Sequence, residues 1–362
     1  MTETEEIAGE DLLFERRGPL VVVTLNRPQA LNALTHEMAL ALEKRLKLYE
    51  DDRDVEAIVV RGAGDKAFCA GGDIRRLYDT GRARERYPYD FYRDEYRLNA
   101  YIYHYPKPYI ALIDGIDMGG GVGVSVHGSH RVVSERIVFA MPETGIGLFP
   151  DVGGSHFLPR LPGELGMYMA MTGARLKAAD AVYAGVGDAY LPSDRLDALV
   201  AALAEAEYRR GARTAVGRVI REFAEEPGES ELAAQRERID DAFGRDSVEE
   251  IVAALEAEGD DWARKTVQTM RTKSPTSMKI AFRQIRNGAT LDFDDCMRME
   301  YRIANGCIAG HDFYEGVRAV VIDKDQAPQW QPPRLEDLTD VDIDPYFEKE
   351  PAGGDLDLGE RF

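Results

Sequence analysis

Met118-Gly-Gly-Gly-Val-Gly-Val124, followed by Phe139-Ala-Met-Pro-Glu-Thr144 and Phe149-Pro-Asp-Val-Gly-Gly154, decides how this chain reads. Consecutive glycines leave backbone N–H groups unshielded by a Cβ, so a ligand atom can approach them closely. Two carboxylates, Glu143 and Asp151, follow at a separation of eight positions. Accessible amides beside carboxylates are equipment for stabilising an oxyanion and for moving a proton or a water next to it.

Working outward, Lys66-Ala-Phe-Cys-Ala-Gly-Gly-Asp-Ile74 repeats the arrangement: a short strand, a glycine pair and a helix start at Asp73. The cluster at 119–121 likewise follows a strand and precedes a segment read as helix to about His130. The Gly120 N–H then falls near the positive end of that helix. The amides of Gly72 and Gly120, aimed at one carbonyl oxygen, form an oxyanion hole; either cluster alone reads equally well as turn glycines. Glu143 follows Pro142 at a strand end, and Asp151 lies in an apolar, glycine-rich setting where protonation is readily perturbed. The bland alternatives are a surface turn for Glu143 and a helix cap near Gly153 for Asp151.

Around these motifs, short apolar strands alternate with helices. Leu12–Arg16, Leu20–Leu25, Ala57–Val60, Tyr109–Ile113, Arg131–Val133 and Ile137–Ala140 read as strands. Thr35 is an N-cap for a helix burying Met38, Leu42, Leu46 and Tyr49. This is the pattern of an α/β core with buried strands. After about residue 195 the texture is Ala, Glu and Arg at helical spacing, predicting helices over 196–221 and 230–258 and further helices after Ser274 and through Asp294–Asn305. The organisation expected is a disordered acidic leader at 1–11, an α/β core at 12–195, a helical region at 196–348 and a mobile polar tail at 349–362.

The formal net charge of −20 argues against general nucleic-acid binding and fits a solubility role, as in a salt-rich cytoplasm. No apolar run is long enough to span a bilayer, so no membrane partner is expected. The acidic start is unlike a basic or apolar targeting segment, and a cytoplasmic location is the expectation. Cys69, Cys296 and Cys307 are too scattered for a disulfide framework or a zinc site. Gly123-Val-Ser-Val-His127 falls one residue short of a serine-hydrolase elbow, so Ser125 reads as packing. His127 and His130 would share a helix face, but without an acid at ligand spacing no metal is expected.

Taken together, Ala67-Phe-Cys-Ala-Gly-Gly-Asp-Ile74 and Gly119-Gly-Gly121 resemble the enoyl-CoA hydratase/isomerase (crotonase) superfamily. Phe91-Tyr-Arg-Asp-Glu-Tyr-Arg-Leu-Asn99, Met141-Pro-Glu-Thr144, Gly147-Leu-Phe-Pro-Asp-Val-Gly-Gly154, Ser274-Pro-Thr-Ser277, Met299-Glu-Tyr-Arg302 and His311-Asp-Phe-Tyr-Glu-Gly-Val-Arg-Ala319 narrow the resemblance to its 3-hydroxyisobutyryl-CoA hydrolases. The resemblance runs from about residue 12 to 348. It implies a crotonase-like ββα spiral core with a helical C-terminal region, paired oxyanion amides at Gly72 and Gly120, catalytic Glu143 and Asp151, and a substrate-contacting acid at Glu95. On the sequence alone, Glu95 reads as part of a charged helix face. Hydratases of the superfamily carry a second glutamate just after the glycine cluster, where this chain has Gly123. That departure favours hydrolysis of a short branched β-hydroxyacyl-CoA thioester over water addition; an enoyl-CoA hydratase or isomerase, and a non-catalytic acyl-CoA-binding protein, are the alternatives. The resemblance further implies an acyl-CoA substrate, no metal or redox cofactor, a place in valine catabolism, and a trimer or hexamer that the longer C-terminal region would either build or block. Arg75 and Arg76 are candidates for offsetting negative charge near the coenzyme A phosphates, or else a solvated helix face.

Overall fold

The computed structural model describes residues 3–5 and 10–359. The chain divides into two compact units, the first from residues 1–72, 97–139 and 176–233, the second from 73–96, 140–175 and 234–362. This differs from the single boundary near residue 195 drawn from composition. Composition reports helix content, whereas a unit is set by which distant segments pack together.

The first unit holds the strands. They are β1 (Glu3–Glu5), β2 (Leu12–Arg17), β3 (Leu20–Leu25), β4 (Ala57–Gly62), β5 (Ala67–Cys69), β6 (Tyr109–Ile113), β7 (Ile116–Met118), β8 (His130–Val133), β9 (Val138–Ala140) and β10 (Ala189–Tyr190). Seven form one sheet in the order β1-β2-β3-β4-β6-β8-β10, and β5-β7-β9 form a second. β1 falls inside the leader expected to be disordered and pairs antiparallel with β2; residues 1, 2 and 6–9 of that leader, like 360–362 of the tail, lie outside the described residues.

From β3 onward the large sheet is parallel. Leu20, Val22, Ala57, Val59, Ile110, Leu112 and Val132, at the two-residue period of a strand, share a core with Leu199, Val200, Leu203, Val216 and Ile220. Those partners come from helices Leu196–Ala204 and Ala212–Phe223. The alternate residues Val21, Val23, Ile58 and Val60 are buried as well. Burial on both faces is what a parallel sheet requires, and it explains why these strands read as continuous apolar runs.

The chain winds as a spiral. Each turn gives one strand to the large sheet, the next to the small sheet, and then a helix: β4, β5 and α2 (Ile74–Arg82), followed by β6, β7 and α4 (Gly120–Ser125). Two longer helices intervene, α1 (His36–Asp51) and α3 (Tyr87–Tyr103). α1 begins as expected, with the Thr35 hydroxyl accepting from Met38 N–H at 3.2 Å and Met38, Leu42 and Leu46 buried.

The second unit is largely helical. It includes α5 (Gly154–Phe157), α6 (Leu165–Thr172) and the helices Pro275–Gly288, Phe293–Ala309 and Asp312–Val317. Ser274 caps the first of these three, accepting from Ser277 N–H at 3.0 Å with Pro275 in the first turn. The helix expected over 230–258 is three shorter ones, Glu231–Ala234, Arg236–Phe243 and Val248–Glu258. The one expected over 196–221 is two helices, Leu196–Ala204 and Ala212–Phe223, separated by residues 205–211, and Gly211 at φ +106° starts the second. The tail is held rather than loose: Leu356 and Leu358 are buried, and Arg302 Nε donates to Asp355 at 3.0 Å. No helix among the described residues is long and apolar enough to cross a membrane.

Candidate active site

The two glycine motifs meet in the first unit. β5 and β7 are parallel neighbours, Cys69 opposite Asp117, and each runs directly into its glycines. A Cβ built on Gly71 would lie 3.4 Å from the Met118 carbonyl oxygen and 3.8 Å from the Gly120 nitrogen. Gly119 turns the chain at φ +49°, which side-chain-bearing residues rarely adopt. Gly121 answers a different need: a Cβ there would stand 2.3 Å from the Cys69 carbonyl oxygen and 2.6 Å from Asp117 Oδ1. Among the described residues, neither the Gly72 nor the Gly120 N–H donates to a protein acceptor. Two adjacent, unspent donors are what an oxyanion hole needs.

α4 ends at Ser125 rather than near His130, because Gly128 turns against the Tyr109 ring and His130 opens β8. The two histidines therefore do not share a helix face; His127 meets the Tyr103 ring edge-on at 6.3 Å. Ser125 is a packing residue, its hydroxyl donating to Asp117 Oδ2 at 2.7 Å. Cys69, Cys296 and Cys307 are buried thiols, none of them in a disulfide.

The acids gather in the second unit. Glu143 opens the 3-10 turn Glu143–Ile146 after Pro142, with Gly147 closing the turn on the Glu143 carbonyl. The turn is anchored by Ser274 N–H donating to the Thr144 carbonyl at 3.0 Å. The Glu143 side chain is buried and its Oε2 has no partner. Burial pushes its carboxyl well above the usual range, the charge of Asp151 adds to this, and the ammonium of Lys273 opposes it.

Asp151 is buried too, and burial raises it to about 7 against the stabilising hydrogen bond from Tyr96, whose hydroxyl donates to Oδ2 at 2.8 Å. Glu95, read from the sequence as exposed, is 1% exposed with Oε1 unpartnered. Burial and then Asp151 push its carboxyl up. Tyr92, Glu95 and Tyr96 share one face of α3 by their spacing, so this face is polar and buried at once.

Sequence reading missed four contributors. Tyr96 and Tyr92 sit in the motif quoted for Glu95, and their three- and four-residue spacing was the available signal. Glu300, at 0% exposure, accepts from Gly153 N–H and Ser155 N–H, each at 2.8 Å. Lys273, half-buried, lies where a Cβ on Gly145 would touch its Nζ at 3.4 Å; no motif marked it. Arg76 lies over the Tyr87 ring at 4.1 Å.

The family model for enoyl-CoA hydratase/isomerase matches residues 20–347, and the chain belongs to that family, with the crotonase fold. More specifically, it is 47% identical over 338 residues to the mitochondrial 3-hydroxyisobutyryl-CoA hydrolase of Xenopus laevis, covering 92% of this chain and 88% of that protein. Among solved structures, a carnitinyl-CoA dehydratase from Mycobacterium thermoresistibile superposes with a TM-score of 0.90 at 39% identity, over 97% of this chain and all (100%) of that one. An enoyl-CoA hydratase from Rhodobacter sphaeroides 2.4.1 superposes with a TM-score of 0.87 at 35% identity, over 96% of this chain and 99% of that one. The Xenopus relative is mitochondrial by name, which corrects the expected cytoplasmic location. That expectation rested on the charge of a few N-terminal residues.

Proposed function

We propose that this chain hydrolyses 3-hydroxyisobutyryl-CoA, a short branched β-hydroxyacyl thioester, to the free acid and coenzyme A. The observation that carries the reading is the buried Glu143 carboxylate, which keeps one oxygen without a protein partner while Asp151 is already engaged by Tyr96. Gly123 leaves α4 without the second glutamate that water addition to a conjugated double bond would use. In this proposal the Gly72 and Gly120 amides donate to the thioester oxygen as it gains charge. Glu143 attacks the carbonyl carbon as nucleophile or takes the proton of an attacking water as base. The C–S bond breaks and the departing sulfur takes a proton. On the nucleophile route this leaves a mixed anhydride on Glu143, which a water hydrolyses to release the acid and restore the carboxylate, whereas on the base route the acid is released directly. Asp151 delivers that proton or orients the acyl hydroxyl, and Glu95 fixes the hydroxyl. Coenzyme A is the carrier portion of the substrate, and no metal or redox cofactor enters the scheme. The reading extends to valine breakdown and to a trimeric or hexameric assembly, the latter open to sedimentation velocity.

A second reading, hydration of an enoyl-CoA, draws on the names of the two superposing solved structures. Incubating the protein with 3-hydroxyisobutyryl-CoA, methacrylyl-CoA and crotonyl-CoA separates the two. Free thiol supports hydrolysis; loss of enoyl absorbance without thiol supports hydration; neither outcome leaves an acyl-CoA-binding protein. Glu143→Gln is expected to lower thiol release by about 10²–10⁴ with folding intact.

A further inference from the structure

Glu300 has no part in the reaction as drawn, yet its carboxylate is spent entirely on one turn. Oε2 accepts from Gly153 N–H and Oε1 from Ser155 N–H, each at 2.8 Å. One of those amides lies at the centre of the turn Asp151–Gly154 and the other just after it; the turn is closed by Gly154 N–H donating to the Asp151 carbonyl at 2.8 Å. Both central residues of the turn have positive φ, Val152 at +50° and Gly153 at +88°. A turn with two such residues favours Asn, Asp or Gly at its centre, and a β-branched residue is a poor occupant.

Val152 is nevertheless fully buried, so the core requires its side chain where the backbone disfavours it. An outside hold on the turn resolves that conflict. Glu300 supplies it from the 17-residue helix Phe293–Ala309, whose Cys296, Met297, Ile303 and Ala304 are buried. On the other side, Gln284 Nε2 donates to the carbonyl of Pro150, the residue before Asp151. Both oxygens of Glu300 act as acceptors, a task that an amide cannot reproduce because one of its atoms is a donor.

We propose that Glu300 is a positioning residue: it clamps the Asp151–Gly154 turn in its left-handed form and thereby aims the Asp151 carboxylate at the thioester. This rests on the hydrolase reading, since the aim of Asp151 matters only if Asp151 serves that reaction.

The test is Glu300→Gln, alone and combined with Val152→Gly, with thiol release from 3-hydroxyisobutyryl-CoA followed beside wild type. Glu300→Gln is expected to lower kcat by about 10–100-fold, the scale of a misplaced catalytic group, with KM held within about twofold. Adding Val152→Gly restores roughly tenfold of the lost kcat, because glycine takes positive φ without a clamp. The pairing separates aim from packing: Val152→Gly leaves a cavity that costs core stability, so a recovered kcat per folded molecule reports relief of the turn's backbone and not a better-packed core. A kcat for Glu300→Gln within about twofold of wild type overturns the inference, and so does a loss that Val152→Gly does not relieve. If Glu300→Gln alone fails to fold, a folded and active double variant supports the clamp, and an unfolded one overturns it. Wild-type protein that releases no thiol overturns the hydrolase reading and the clamp with it; normal wild-type release with an unaffected Glu300→Gln overturns the clamp alone.

Discussion

Replacing Asp151 by asparagine is expected to abolish activity and, above neutral pH, to make the protein more stable. Asp151 titrates at about 7 in the folded chain rather than at its ordinary 3.8, chiefly because burial penalises the charged form. The protonated carboxyl is therefore the form the fold tolerates. Its contribution is whole below the unfolded value near 4 and is lost as pH climbs through about 7. Three decades at about 1.36 kcal/mol each place the penalty of the ionised group near 4 kcal/mol. Asparagine keeps an oxygen for the Tyr96 hydroxyl but buries an unpaired N–H₂ group, returning about 1–3 kcal/mol of that gain. The net benefit above pH ~7 is then about 1–3 kcal/mol. With an unfolding entropy of about 2.1 cal/mol/K per residue over 362 residues, this corresponds to roughly 1–4 °C in Tm. Thermal unfolding of both proteins at about pH 4.5 and about pH 8 provides the assay: groups far from Asp151 cancel in the difference, while loss of its charge eases the ionisation of Glu143 and Glu95 and widens the gap in the same direction. A gap between variant and wild type that does not widen toward alkaline pH would refute the argument.

Three further outcomes follow from the same geometry. Gly121→Ala places a Cβ 2.3 Å from the Cys69 carbonyl, so α4 must shift and carry the Gly120 N–H with it; kcat is expected to fall about 10²–10³ while circular dichroism is unchanged. Lys273→Met removes the charge that favours ionised Glu143, so the ascending limb of the kcat/KM–pH profile moves to higher pH, and an unmoved limb contradicts the assignment. Tyr96→Phe deletes the donor that holds Asp151 down, raising its titration and lowering kcat by about tenfold; combined with Asp151→Asn it adds little further loss, because Tyr96 acts through Asp151.

The strands were legible because a parallel sheet buried on both faces demands unbroken apolar runs, and Leu20–Leu25 and Tyr109–Ile113 are such runs. Helix lengths were not, since an Ala, Glu and Arg pattern continues through residues 205–211 without recording that one helix ends at Ala204 and the next begins at Ala212. Nor were the two units, because Leu196–Ala204 sits with the sheet through contacts to strands far earlier in the chain. In the site, the glycine motifs and the carboxylates Glu143 and Asp151 could be named from residue type and neighbours. Glu95 defeated periodicity, which tells a polar helix face from an apolar one but not a buried polar face from a wet one. Tyr96 and Glu300 act through hydrogen bonds to residues 55 and about 150 positions away, a relation that local pattern does not encode. The structure has no such limit, and it also removed His130 from the helix where the sequence placed it.

The small sheet β5-β7-β9 has an implication for how chemistry can change on this scaffold. Parallel neighbours release their chains at the same edge, about 4.8 Å apart, so successive turns of the winding deliver their loop amides side by side. The pair of amides proposed to polarise the electrophile is thus supplied by topology and needs no dedicated side chain. Acids can be gained, lost or relocated by single codons without disturbing it, which is how one scaffold can host hydrolysis in one lineage and water addition in another.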